Sequence, residues 1–399
     1  MRRSLSKYLT VTGTYWGFTL SDGALRILVL FHFFKLGYSP FTLALLFLMY
    51  EVAGIIANLG GGWLVTRFGI PRMLLLGIAM QILGLLFLSC LDQTYGPVLS
   101  VIWVVVAQGI AGLAKDIAKT ASKSAIKVVK IDEGEGLFRW VAWFTGSKNA
   151  MKGCGFFLGG VMLTTIGFRY GLWLMAGLLG LLAVLVVVTL PSKLGAGVSS
   201  QTIKELFSKS SAVNTIALAR IFLFGARDTW FVVALPVFLY GNGWSFWEVG
   251  GFLALWTMLY GLVQGIAPAI MRITNTTPVC WTSRVGWAVA LALALIGIWF
   301  CMIIKMDVPL LITGLLVFGV LFAVNSSLHS FLIVAYAGSK KAAEDIGFYY
   351  AANAAGRLAG TFLSGFLYYQ GGLLACLSGS ALFLIITALM VARLPQAEV

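Results

Sequence analysis

The sequence predicts an all-α membrane protein whose twelve transmembrane helices form two related six-helix bundles. Three observations predict it. Of the 399 residues, 60% are hydrophobic and only 11% charged, against about 25% charged in a soluble domain. Apolar stretches long enough to cross a bilayer, about 20 residues each, recur twelve times between loops marked by Gly, Pro and charge. The last six stretches also repeat features of the first six at a nearly constant offset.

The elements follow in order. Arg2, Arg3 and Lys7 precede an apolar run too long for a signal-peptide core, so an uncleaved first span is expected over 11–35 with a cytoplasmic N-terminus. Spans over 41–65, 72–91, 97–118, 139–165 and 170–190 complete a first bundle, residues 1–191. The polar run 192–212, with Ser192, Lys193, Ser199, Ser200, Gln201, Lys204, Glu205 and Lys209, is the expected cytoplasmic linker. Spans over 213–239, 246–271, 279–304, 308–337, 346–369 and 372–392 fill a second bundle, residues 213–399. With both termini inside, eighteen Lys and Arg fall on cytoplasmic ends and only Lys35, Arg169 and Lys305 on the other face. That asymmetry orients a multi-pass membrane protein with both termini in the cytoplasm, and a bacterial cytoplasmic (inner) membrane is the expected location. It also accounts for most of the +14 net charge, so no nucleic-acid partner is expected; lipid is the surrounding partner.

The internal repeat is specific. Asp22, Gly37, Ser39 and Asn58 stand 206 residues before Asp228, Gly243, Ser245 and Gln264. Lys152, Gly155, Phe157, Leu158, Gly160 and Gly167 stand 205 before Arg357, Gly360, Phe362, Leu363, Gly365 and Gly372. Two parallel six-span repeats are the layout of the major facilitator superfamily, which the chain resembles.

Charge inside the spans carries the functional reading. Arg26, Arg139, Lys148, Lys152, Arg220, Arg227 and Arg357 lie within membrane stretches, against Asp22, Glu51, Asp116 and Asp228. Each charge costs about 2.5–3.5 kcal/mol at a helix centre, and one-to-one pairing leaves three cations without an anion. A small, multiply charged anion that visits and leaves is the implied partner. Asp22 and Arg26 are spaced i,i+4 for an intrahelical pair, and Asp228 adjoins Arg227. Lys148, Lys152, Gly155 and Gly159 share a stripe about 60° wide, so the lysines point with the glycines toward a neighbouring helix. Arginine's planar fork suits phosphate-like oxygens, which makes Arg26, Arg220 and Arg227 candidate ligands. Lys119, the deepest of the span 4 lysines, is a candidate funnel for anions. Asn149, Asn325, Asn353 and His329 are further polar candidates, and Asp22, Glu51, Asp116 and Asp228 are candidates for proton coupling or ion pairing.

The loop Gly62-Trp-Leu-Val-Thr66-Arg67-Phe-Gly69-Ile-Pro-Arg72 resembles the superfamily motif G-x-x-x-D-R-x-G-R-R, with Thr66 where the acid belongs. The resemblance implies a gating role for Gly62, Arg67, Gly69 and Arg72. Span 5 (Gly146, Gly155, Gly159, Gly160) partly resembles the antiporter glycine motif. Five separated cysteines give neither a thiolate metal site nor a disulfide framework. No catalytic set, cofactor site or nucleotide-binding loop occurs, so the chain is expected to be a gradient- or exchange-driven carrier and not an enzyme.

Three long stretches resemble something narrower, the ArsJ-type organoarsenical efflux permeases. They are Val11 through Arg26, Leu137-Phe-Arg-Trp140 with Thr145 through Gly153, and Ala219 through Pro236. The resemblance implies export of 1-arseno-3-phosphoglycerate and arsenate resistance, with a glyceraldehyde-3-phosphate dehydrogenase as the functional partner that makes the compound. Its two anionic ends suit two basic sets, Arg26, Arg220 and Arg227 for one and Lys148, Lys152 and Arg357 for the other. Rival readings are an organophosphate or phosphate-type anion exchanger, a drug/proton antiporter and, from another class, a membrane anion sensor that transports nothing.

Overall fold

The computed structural model describes residues 2–92, 94–128, 135–191, 194, 210–276, 280–304, 307–336 and 342–395. Among them run α1 (Arg2–Lys35), α2 (Pro40–Phe68), α3 (Ile70–Ser89), α4 (Pro97–Val128), α5 (Glu135–Thr165) and α6 (Gly167–Thr189). They are followed by α7 (Ser211–Phe231), α8 (Ala234–Gly241), α9 (Phe246–Ile273), α10 (Trp281–Ile303), α11 (Val308–Tyr336) and α12 (Ala342–Ala392). Ten stretches of the described residues are long and apolar enough to span a membrane. Helix α5 is long enough but too polar, with Glu135, Arg139, Lys148 and Lys152 along it. The last stretch, Gly347–Ala392, has 46 residues, about 69 Å of helix at 1.5 Å per residue. That is two bilayer crossings, and the chain bends between them at Gly371 and Gly372. With α5 and this doubled stretch, the twelve expected spans are accounted for.

The seventh span departs from expectation by breaking into α7 and α8 at Val232 and Val233. Pro236 is the local cause, since its ring clashes with the carbonyl four residues earlier and it brings no N–H. The break frees backbone donors in a buried place, where an unpartnered N–H is costly. Ser364 on α12 takes both, accepting from Val233 N at 3.2 Å and Ala234 N at 3.1 Å.

The repeated residues repeat their jobs. Gly37 and Gly243 hold φ of 85° and 89° in the turns before α2 and α9, and Gly167 and Gly372 hold 82° and 64° at the next matched turns. Those values lie where a Cβ is disfavoured. Ser39 and Ser245 then cap the following helices, accepting from Thr42 N at 3.2 Å and Glu248 N at 3.4 Å.

Packing divides the chain into two units. Unit 1 comprises Met1–Tyr38, Leu46–Gln201 and Trp244–Met258; unit 2 comprises Ser39–Leu45, Thr202–Gly243 and Leu259–Val399. These limits differ from the expected contiguous halves, 1–191 and 213–399, by the exchange of two short segments. Matched glycines explain the exchange. In unit 1 a Cβ on Gly160 would meet Phe246 O at 2.6 Å, and in unit 2 one on Gly365 would meet Pro40 O at 2.5 Å. The start of α9 therefore lies against α5, and the start of α2 against α12. The expected linker lies outside the described residues except for Leu194 and 210–212. Leu194 O accepts from Ile70 N at 2.8 Å, and Ser210 caps α7.

In unit 1, α1 crosses α5 at glycines, so that backbone approaches backbone. A Cβ on Gly23 would stand 2.6 Å from Lys152 O, and one on Gly159 would stand 2.5 Å from Ala24 O. In unit 2, α7 crosses α12 the same way, with Gly360 against Gly225 O and the Cβ of Asp228. Such backbone contact is what small residues provide when no water drives helices together.

Candidate functional site

Each unit carries its own charged set, built on a glycine crossing. In unit 1 the crossing holds Asp22 and Arg26 of α1 beside α2 and α5. The expected Asp22–Arg26 pair does not form. Asp22 accepts from the Tyr50 hydroxyl at 2.6 Å, and Arg26 pairs with Glu51 at 3.6 Å. Tyr50 and Glu51 are consecutive on α2, so each α1 charge finds its own partner across the helix seam. Glu51 is fully buried and the Arg26 side chain is 12% exposed. Its guanidinium lies over the rings of Phe47 and Tyr50.

Helix α4 adds Lys115, Asp116 and Lys119. Asp116 is buried and takes Lys115 at 3.4 Å and Lys119 more closely. Lys119 also donates to Asn58 at 2.7 Å, and Lys115 sits 4.0 Å above the Tyr50 ring. Gly54 makes room for this carboxylate, since a Cβ there would lie 2.7 Å from Asp116 Oδ2. On α5, Lys148 and Lys152 are half-buried and Asn149 is buried; the Lys152 ammonium stands 5.5 Å from the Phe156 ring. The glycine stripe faces α1, as the lysine–glycine spacing predicts. The set holds five cations (Arg26, Lys115, Lys119, Lys148, Lys152) against three carboxylates (Asp22, Glu51, Asp116).

In unit 2 the imbalance is sharper: three arginines, Arg220, Arg227 and Arg357, against Asp228. Asp228 is 1% exposed and lies between two of them, 2.5 Å from Arg227 Nε and 3.4 Å from Arg357 Nε. Arg227 is surrounded by the rings of Phe224, Phe231 and Phe322. Arg357 is a partner for Asp228 that adjacency in sequence did not reveal.

Arg220 is different. It is 5% exposed, yet among the described residues no carboxylate lies within ion-pair distance. Its partners are neutral: Asn353 Oδ1 at 3.0 Å, Ser326 O at 3.1 Å and Ser326 Oγ at 3.2 Å. Phe224 and Tyr349 pack on it with ring centroids at 4.0 and 4.9 Å. Tyr260 and Gln264 reach the same Ser326 hydroxyl, each at 3.1 Å. Three spans, α7, α11 and α12, thus meet at one guanidinium, and α9 reaches it through Ser326. A site that keeps a buried positive charge without a resident anion is suited to an anion that comes from outside.

The other expected residues divide. His329 is 2% exposed and follows Ser326 by one turn of α11. Asn325 departs from the expectation of a ligand group: it donates to Trp287 O at 2.8 Å and Leu321 O at 2.9 Å, which makes it a clamp between α10 and α11. In the motif loop, Gly69 caps α3 with φ 84°, which explains the glycine, while Arg67 and Arg72 are exposed. The side chains of Thr66 and Arg139 lie outside the described residues, as does the surrounding of Gly62. Arg284, counted by sequence with the loop charges, is 2% exposed. It donates to Pro395 O at 3.1 Å and to the Tyr336 hydroxyl at 2.6 Å, tying down the end of α12. Ser326 was missed by sequence reasoning; its only signal was a polar pair, Ser326-Ser327, ahead of a histidine in an apolar span.

Residues 11–286 match the family model described as Major Facilitator Superfamily. No curated protein matches the chain. Among solved structures, a POT family transporter in complex with 5-aminolevulinic acid superposes with a TM-score of 0.72 at 14% identity, over 98% of this chain and 96% of that one. A POT family transporter in complex with a thioalcohol-conjugated peptide gives 0.71 at 14% identity, over 96% and 94%. At that identity the likeness is one of fold.

Proposed function

This chain belongs to the major facilitator superfamily, and on that footing we propose that it is a secondary carrier exporting a small organic polyanion from the bacterial cytoplasm by alternating access. The observation that carries the reading is Arg220: a buried guanidinium whose hydrogen-bond partners among the described residues are all neutral. The set of Arg220, Arg227 and Arg357 around the single carboxylate of Asp228 supports it. A carrier for apolar cations calls for the opposite balance, which disfavours the drug/proton antiporter.

The substrate we propose is 1-arseno-3-phosphoglycerate, supplied by a glyceraldehyde-3-phosphate dehydrogenase, with both termini of the carrier in the cytoplasm. Support for the arsenic comes from the resemblance of 11–26, of 137–140 with 145–153, and of 219–236 to the ArsJ-type permeases; support for an oxyanion comes from the charge sets. Pentavalent, oxygen-bound arsenic requires no thiol, in keeping with cysteines that are dispersed at positions 90, 154, 280, 301 and 376. Arg220, Arg227 and Arg357 are the proposed ligands in unit 2, with Arg26, Lys148 and Lys152 in unit 1. Arg26 shares its charge with Glu51, and Lys119 with Asp116, so those pairs are the proposed places for proton coupling.

The test is arsenate sensitivity of a cell lacking its own arsenate efflux. The chain is expressed alone and then with the dehydrogenase. Resistance only with both proteins is expected. If unmodified 3-phosphoglycerate competes equally for uptake into everted vesicles, the arsenic assignment fails and a general organophosphate exchanger replaces it.

A further inference from the structure

His329 has no hydrogen-bond partner for either ring nitrogen among the described residues, although it is 2% exposed. A neutral imidazole has one donor and one acceptor, and buried polar atoms are rarely left unmatched. Its neighbourhood is not a random place in the core. Ser326, one turn earlier on α11, receives the Arg220 guanidinium through both its carbonyl and its hydroxyl, so His329 stands on the next turn of the helix that Arg220 grips. Two features thus lie one helical turn apart along α11: a guanidinium with no carboxylate partner among the described residues, and an imidazole with an unused donor and an unused acceptor.

We infer that Arg220 and His329 form a subsite for a singly protonated tetrahedral oxyanion, with His329 reading the proton. Such a group, a phosphate or arsenate ester bearing one O–H, presents charged oxygens and a hydroxyl on the same centre. The charged oxygens accept from Arg220 and from the imidazole N–H; the hydroxyl donates to the other ring nitrogen. Sulfate and sulfonate have the tetrahedral shape but carry no proton near neutrality, and a carboxylate lacks both. They leave the imidazole acceptor unmatched, and a site built to pair a group rejects an analogue that lacks it far more strongly than a merely apolar site does. Ser326 and Asn353 are positioning residues here: by accepting from Nη1 and Nε they fix the plane of the fork. The inference rests on the oxyanion-carrier reading above and adds the protonation state that the site selects.

The test uses the purified full-length protein in detergent, with inorganic phosphate and sulfate as probes and the shift in thermal unfolding as the readout of binding. Wild type is expected to bind phosphate at least about tenfold more tightly than sulfate near neutral pH. His329→Leu is expected to keep sulfate binding but bring the ratio close to one, and His329→Gln, which retains a donor and an acceptor, to keep part of the preference. An unchanged phosphate preference in H329L overturns the role of His329, for instance because a water alone satisfies it. The same holds if wild type binds both anions equally. If wild type binds neither anion, or Arg220→Met binds both as well as wild type does, the oxyanion reading itself falls. Should H329L unfold, H329Q and the wild-type ratio still decide.

Discussion

Replacing Arg220 by Met separates a ligand arginine from a structural one. The substitution removes bonds to Asn353 and Ser326 and contact with the rings of Phe224 and Tyr349. Taking the two Ser326 bonds as one shared donor, about 3–6 kcal/mol is lost at roughly 1.5–3 kcal/mol per charged bond, plus about 1–2 kcal/mol from the rings. Against this, a buried guanidinium without a carboxylate gives back several kcal/mol when it is removed. Ser326 O and Oγ keep other donors, from Ser330 and Gln264. The two sides cancel to within about 2 kcal/mol, so R220M should unfold within about 3 °C of wild type. Anion affinity should meanwhile fall by roughly 30- to 5,000-fold, the loss of about 2–5 kcal/mol that follows removal of one charged contact. Asp228→Asn should behave oppositely. It strips Arg227 and Arg357 of the carboxylate they share, which destabilises by about 3–5 kcal/mol. Thermal unfolding and anion binding on the same purified samples make the comparison. If R220M is as unstable as D228N, or if it retains wild-type affinity, Arg220 is a structural residue and the reasoning is wrong.

Three further substitutions probe the frame that positions the charges. Gly360→Ala places a methyl against Gly225 O and the Asp228 Cβ at about the separations measured, 2.6 and 2.7 Å. It should destabilise by about 1–3 kcal/mol and disturb transport more than Gly286→Ala, where nothing lies within 4 Å; equal effects would remove the close crossing. Ser364→Ala orphans two buried N–H groups at the α7–α8 break, a loss of about 2–4 kcal/mol visible as lower Tm, with Ser364→Thr recovering part of it. Arg284→Met releases the end of α12; limited proteolysis should trim the C-terminal residues faster while anion binding is unchanged, and slower or equal trimming would contradict the clamp.

The spans were readable from the sequence because hydrocarbon admits backbone only as helix, so hydropathy and length alone place eleven of the twelve well. Repeat matching went further: Gly37/Gly243, Ser39/Ser245 and Gly160/Gly365 recur because the turn, the cap and the crossing they serve recur. What escaped was tertiary. Spacing on α1 suggested Asp22 with Arg26, but a helix pattern cannot see that α2 offers Tyr50 and Glu51 at the same level. Arg357 reaches Asp228 from 129 positions away in sequence, and Ser326, a common residue in any apolar span, gains meaning only from what converges on it. Pro236 did signal the break in the seventh span, yet its hydropathy is continuous across the break. Arg284 resembled any basic residue at a helix end until its carbonyl partners were located.

Flux in proteoliposomes tests the central claim most directly: the surplus of buried positive charge exists to carry oxyanions. Vesicles containing purified wild type, loaded with a phosphate-bearing three-carbon acid, should accumulate the labelled compound by counterflow, and R220M should not, while a labelled lipophilic cation stays out in both cases. Counterflow of the cation, or anion flux that is the same in wild type and R220M, would contradict it.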